Sequence, residues 1–454
     1  MSVWPELRES RTVRAGRAPG NVIRCGVIRC GLMDTMLADI PVSVVFFYQR
    51  APDIAHLADG LAMALDLVPV FAGRLREGGE RLEIVCEDAG VPMNVYDVDE
   101  TLGEAISRVV LPGAGFVDHI EAPAARAGGL PLLTVRISML SDGGMAMGCS
   151  WHHAVGDMQS FMLLMRVWSA CVKGVEPPAV RIVDNMDEFL EDRLPAKDSG
   201  RPGFRLPDDA KAAELNNELM SAVRANRAVQ VYFSESEISR MRAEVTAAAA
   251  QRLSTNDVLC GHVVSTIRRL DEDLEARSMA IPINIRRYID LPPEVIGNLV
   301  NEVYVACSPK GTAEGTAAEI RAAVNEYGPE SLNIRANHAF LRSVGHDRLR
   351  DCLPIGFDPA IRTFTVTNWS RFGVYDIVFD GHAPTFFSPA TNMVLPWVAW
   401  VVEGFDRTGF LFMVALPAKL AARLRSADGR AALHVYRDPD EELPTLVQAV
   451  KKMI

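Results

Sequence analysis

Apolar residues fall along this chain in two rhythms. "IPVSVVFFYQ" (Ile40 to Gln49) is a β-branched and aromatic run that predicts a buried strand. "PDIAHLADGLAMALDLVPVFAGRL" (Pro52 to Leu75) follows with helical spacing and predicts a helix ending at Pro69. "RLREGGERLEIVC" (Arg74 to Cys86) reads as two short strands hinged at Gly78 and Gly79. "PLLTVRISMLSDGGMAMGCSWHH" (Pro131 to His153) gives two more strands around Asp142, Gly143 and Gly144, and "DMQSFMLLMRVWSACVKG" returns to helical spacing, stopping at Gly174.

The second half repeats the mixture. "AVQVYFSESEISRMRAEV" predicts a strand, a serine-capped turn and a helix, and "STNDVLCGHVVSTIRRL" a capped amphipathic helix. "SMAIPINIRRYIDLPPEVIGN" predicts a strand entering a proline-rich loop, "TFTVTNWSRFGVYDIVFDG" (Thr363 to Gly381) alternates like one strand, and "GFLFMVALPAKLAARL" pairs a last strand with a last helix. Between the halves, residues 187–217 are rich in proline, glycine and charge, which marks a solvated crossover. The expected organisation is an α/β (α+β) protein with an N-terminal domain over 1–186, a linker over 187–217 and a C-terminal domain over 218–454. "VIRCGVIRCG" (Val22 to Gly31) repeats a five-residue unit and is expected to form strand, with no chemistry assigned.

With 454 residues, two domains are the ordinary expectation, and 49% apolar with 23% charged residues describes a globular protein. A net charge of -11 argues against a nucleic-acid surface. Apolar runs such as "MVLPWVAWVV" fall short of the roughly 20 residues of a membrane span, and a secretory signal is not expected. The eight cysteines are dispersed without a CxxC pair, so reduced thiols in a cytoplasmic protein are expected.

The candidate chemistry lies in "SWHHAVGDMQS" (Ser150 to Ser160), at a predicted strand-to-helix junction. Histidine is readily poised as a base near neutral pH. Neighbours on a strand face opposite ways, so His152 and His153 cannot both address one cleft. Asp157 would cap the following helix or pair with a basic residue. A metal site lacks further ligands at recognisable spacing, Cys149 as nucleophile would face away from His152, and no GxSxG elbow occurs. A polar corner with a satisfied core histidine remains an equal alternative on these residues alone.

The motif "HHAVGD" resembles the HxxxD motif of the BAHD acyltransferases, which move an acyl group from coenzyme A to an alcohol or amine. "VPVFAGRL" (Val68 to Leu75), "PINIRRYIDLPPEVIGN" (Pro282 to Asn298) and "TNWSRFGVYDIVFDG" (Thr367 to Gly381) resemble further segments of that family in the same order. The resemblance implies two similar chloramphenicol-acetyltransferase-like domains with a tunnel between them, and a monomer. It implies His153 as general base, Asp157 turned away to pair with Arg286, and Thr367 and Trp369 on the oxyanion or acceptor side. Ser254 and Thr255 match a segment near coenzyme A, although both also read as helix caps. Acyl-CoA is implied as co-substrate with a small-molecule acceptor, and neither a permanently bound cofactor nor a metal is expected. Condensation domains that use a carrier-bound donor share the motif, and an inactive relative is a further alternative. The chain departs from the family at Val378 where an aspartate is usual, with Asp376 or Asp380 as candidate replacements, at Met158 in place of glycine, and at Asn284 in place of aspartate.

Overall fold

The computed structural model describes residues 5–450 except 16–25, 80, 112, 195–199, 209–213, 215–216, 218–220, 273–277, 309–310, 358–362, 391–394 and 396. Two six-stranded mixed sheets organise the chain. The first runs, edge to edge, Glu6–Val13, Val91–Val98, Leu133–Leu140, Met145–His152, Pro41–Tyr48 and Phe386–Pro389. Its last strand comes from the C-terminal half and pairs antiparallel with Pro41–Tyr48, Phe386 opposite Phe47. The second sheet runs Asn226–Phe233, Phe410–Pro417, Val398–Glu403, Phe364–Asn368, Met279–Asn284 and Val300–Val305.

Strands that read as unbroken apolar runs are covered on both faces. Every residue of Met145–His152 is buried. On one face Trp151 stacks on Phe161 of the Met158–Lys173 helix, with ring centroids 4.1 Å apart. On the other, a Cβ at Gly148 would lie 1.8 Å from the Phe116 carbonyl, so only glycine lets the 116–122 segment close over the sheet. The helix itself begins on the Asp157 cap, which accepts the Ser160 amide at 3.0 Å, and ends at Gly174 in the left-handed conformation, φ 65°.

Several elements differ from what the sequence pattern predicts. Glu6–Val13 is an exposed edge strand whose charged alternation carries little apolar signal. The alternating stretch Thr363 to Gly381 is a strand only to Asn368, whose side-chain oxygen accepts the Ser370 amide and hydroxyl at 2.8 and 2.7 Å in a local turn, and Gly373 at φ 69° then leads into a short 3-10 segment at Val374–Asp376. The Ala418–Leu424 helix is followed by two more, Ala427–Leu433 and Thr445–Ala449. Within 187–217, Asp187 is buried in the Met186–Glu191 helix and Phe204–Arg205 pairs with Leu353–Pro354, while 195–199, 209–213 and 215–216 lie outside the described residues. Of the five-residue duplication, Val27–Arg29 forms a strand and 22–25 lie outside the described residues.

Among the described residues no helix is long and apolar enough to cross a membrane. No group of three or more His, Cys, Asp or Glu side chains among them is placed to hold a metal ion.

Candidate active site

The strand Met145–His152 ends against a 3-10 turn, His153–Val155, and the helix starts three residues later at Met158. This sharp passage requires Gly156, where a Cβ would lie 2.6 Å from the Ser160 side chain and φ is 156°. The steric need for glycine therefore falls before Asp157. Met158, the first residue of the helix, points into the core of the first sheet.

The two histidines have opposite surroundings. Both ring nitrogens of His152 are used: Nε2 donates to the Ala122 carbonyl at 3.2 Å, and Nδ1 accepts the Ala154 amide at 3.2 Å. This fixes His152 as a neutral, fully buried imidazole, and burial pushes its pKa down to about 4. His153 is half-buried, and its Nδ1 lies inside the protein with no hydrogen-bond partner. Burial lowers its pKa as well, against smaller raising effects from its own carbonyl, the Asp157 charge and Asn298. An imidazole so placed is unprotonated near neutral pH and can accept a proton.

The Asp157 carboxylate is saturated by other partners. Arg286 Nη1 and Nη2 donate to its two oxygens at 2.8 and 3.2 Å, and the Ser160 amide and hydroxyl and the Leu299 amide add 3.0, 2.9 and 3.2 Å contacts. Burial would raise its pKa, but the Arg286 charge and these donors outweigh it and hold the carboxyl below its usual range. Arg286 in turn donates to the carbonyls of Val295 and Gly297, at 2.9 and 3.2 Å. Asn284 Oδ1 accepts from Arg286 Nη1 at 3.1 Å, so the amide at that position supports the same guanidinium. The pair joins the N-terminal helix start to the loop after the Met279–Asn284 strand.

Opposite this pair stand two residues that sequence reasoning missed. Asp34, in the Leu32–Met36 helix, accepts the Gly31 amide at 2.9 Å on Oδ2 and the Asn298 side-chain amide at 2.8 Å on Oδ1. The same Asn298 Nδ2 donates to the His153 carbonyl at 2.8 Å. The available signal was one acid inside the apolar stretch "CGLMDTML", since an unpaired acid is rarely buried without a task.

The other candidates gather elsewhere. Thr367 is half-buried on the Phe364–Asn368 strand, and the neighbouring Asn368 Nδ2 donates to Asn256 Oδ1 at 2.6 Å, in the first turn of the Thr255–Leu270 helix. Ser254 is committed as that helix's cap, accepting the Asp257 amide at 3.3 Å, and Thr255 is its first residue. Trp369 packs against the core of the first sheet and so spans the two halves. Among the described residues no hydrogen bond joins His153 to Thr367, Trp369, Ser254 or Thr255. In the "VFDGH" segment, Phe379 is buried against Trp168 at 5.1 Å, Asp376 pairs with Arg407, and Asp380 accepts the Asp53 amide at 2.8 Å and meets His56 at 3.2 Å.

A family described as the Transferase family matches residues 28–425. Rosmarinate synthase of Plectranthus scutellarioides is 24% identical over 256 residues, covering 55% of this chain and 57% of that protein, so the match spans less than two thirds of it. Agmatine hydroxycinnamoyltransferase 1 of Oryza sativa subsp. japonica is 25% identical over 386 residues, 80% of this chain and 84% of its own. Among solved structures, F. graminearum TRI101 complexed with ethyl coenzyme A superposes with a TM-score of 0.72 at 14% identity, over 89% of this chain and 98% of that one. That similarity is one of fold.

Proposed function

This chain belongs to the Transferase family, the BAHD acyltransferases with their chloramphenicol-acetyltransferase-like fold, and on that premise we propose that it transfers an acyl group from coenzyme A to a small-molecule hydroxyl or amine. One observation carries the assignment of the base: of two adjacent histidines, His152 has both nitrogens engaged while the His153 ring is left unbonded and unprotonated. His153 takes the proton from the acceptor as its oxygen or nitrogen attacks the thioester carbonyl. The C–S bond of the tetrahedral intermediate then breaks, and the departing CoA thiolate takes that proton back from His153. Asp157 and Arg286 brace the turn from behind and touch no substrate.

Thr367 and Trp369 stand on the acceptor side, where the developing oxyanion needs a donor. Thr255, with Ser254 as its cap, belongs to the CoA side. The protein acts in this reading as a cytoplasmic monomer through a ternary complex, with donor and acceptor entering a tunnel between the two sheets.

The test is His153→Ala, assayed by free-thiol release with an acyl-CoA and acceptor panel. The expected loss is about 10²- to 10⁴-fold in kcat with acyl-CoA affinity kept, the range for a positioned general base. Wild-type turnover in this variant overturns the mechanism.

A further inference from the structure

Two buried polar atoms beside the candidate base lack partners, and they are complementary. One is His153 Nδ1, which in the tautomer that leaves Nε2 basic carries a hydrogen to donate; the other is Asn298 Oδ1, which can only accept. Isolated, each represents an unmade hydrogen bond, a condition that buried groups rarely sustain.

Their relative placement follows from Asp34. Side-chain amides are ordinarily free to turn end over end, but an ionised carboxylate accepts and never donates, so only the NH₂ of Asn298 can face Asp34 Oδ1 at 2.8 Å. The Asn298 backbone amide also approaches the same oxygen, at 3.4 Å. Asn298 Nδ2 completes its donors on the His153 carbonyl at 2.8 Å, which sets the amide alongside that residue with Oδ1 the one atom still uncommitted. Asp34 cannot turn away, because its other oxygen is held by the Gly31 amide at 2.9 Å.

We propose that Asn298, oriented by Asp34, is the positioning residue of the reaction: its Oδ1 accepts the His153 Nδ1 hydrogen in the working complex and thereby keeps Nε2 as the free base. The proposal rests on the reading of His153 as that base. Hydrogen bonds of this kind are often open in the substrate-free state and tighten when substrate is bound. Asn298 is among the groups that raise the proton affinity of the His153 ring, after its own carbonyl and the Asp157 charge, as a nearby acceptor would. The arrangement has the logic of a base held by a third group that does no chemistry, with a neutral amide in the place usually given to a carboxylate. Asp157, the carboxylate next in sequence, is unavailable for it, since Arg286 and Ser160 occupy both of its oxygens.

The charged and titratable groups around His153 are Asp34 on the Leu32–Met36 helix, Asp157 and Arg286 behind the turn, His152 on the preceding strand, and Asp187 near Asp34. Nitrogen-15 NMR of the histidine rings separates their protonation from tautomer choice. In wild type at pH 7.5 the His153 signals, assigned by their loss in His153→Ala, should show hydrogen on Nδ1 alone. Asn298→Ala should give a mixture of tautomers and lower kcat about 10- to 100-fold, as loss of an outer partner does for oriented histidines, with KM for acyl-CoA within twofold.

Asp34→Asn keeps the volume and supplies the second arm. The new amide presents a donor either to Gly31 or to Asn298, so the Asn298 side chain is released to turn over, and the same mixed tautomers and a smaller kcat loss are expected. A wild-type tautomer ratio in both variants overturns the proposal, whatever their activity. Should His153→Ala remain active while the NMR result holds, the base assignment fails and the orientation of the ring by Asn298 stands.

Discussion

Asp157 and Asp34 flank the same histidine, are 4% and 8% exposed, and each stands in the first turn or cap of a helix. Yet their proton affinities move in opposite directions. Asp157 has the Arg286 guanidinium against both oxygens and is held below the usual carboxylate range. Asp34 has only neutral donors, from Gly31 and Asn298, and burial raises it to about 6. Burial alone therefore does not set the behaviour of a buried acid; the presence of a cation does. The first carboxylate is a fixed clamp across the two halves. The second is an acceptor whose charge is only just maintained at neutral pH.

Breaking the clamp should have the largest effect. Asp157→Ala leaves Arg286 buried without a counter-charge, and a loss of about 3–5 kcal/mol in unfolding free energy is expected, together with reduced turnover. Urea denaturation reads it, and an unchanged midpoint would remove Asp157 from its bracing role.

Acid titration contrasts the two directly. Asp34 binds a proton in the folded state at about 6, above its ordinary value of 3.8, so its contribution to stability declines as pH rises through that window and the cost persists above it. The span corresponds to a change on the order of 3 kcal/mol. Asp157 runs the other way: its stabilisation is present above the unfolded carboxylate pKa and is lost as pH falls through its depressed folded value. Unfolding free energies from pH 4 to 8 should lose the declining component in Asp34→Asn while retaining the rest of the profile. A difference between variant and wild type that does not vary over that range would show that Asp34 does not titrate there.

The smallest expected effect extends the comparison to a third buried acid. Asp257 sits in the first turn of its helix, like Asp34, but pairs with Arg321, like Asp157, Nε lying at 2.7 Å. Because Ser254 shares that capping box, Ser254→Ala should cost about 1 kcal/mol while leaving KM for acyl-CoA unchanged. A raised KM with unaltered stability would instead give the hydroxyl to the ligand.

Much of this site is legible in the sequence itself. A histidine and an aspartate four apart at a strand-to-helix junction are visible in "HHAVGD", and capped helices such as Thr255–Leu270 announce themselves through serine and acid spacing. The choice between His152 and His153 was not a matter of local pattern. It depends on the Ala122 carbonyl and the Ala154 amide, and the former comes from a segment thirty residues away. Asn298 lay inside a quoted stretch without drawing notice, because its significance arises only when Asp34, 264 positions earlier, is brought beside it. The turns after Asn368 escaped because the apolar alternation continues past the point where the Asn368 side chain takes the Ser370 amide and ends the strand.

The strand Phe386–Pro389 has a consequence for how the protein is made. Until it emerges from the ribosome, Pro41–Tyr48, an apolar strand, has one hydrogen-bonding edge uncovered. At about 5–20 residues per second, the interval between synthesis of His152 and of Phe386 is on the order of ten to fifty seconds. For that time the nascent first sheet presents an unpaired apolar edge to any neighbouring chain.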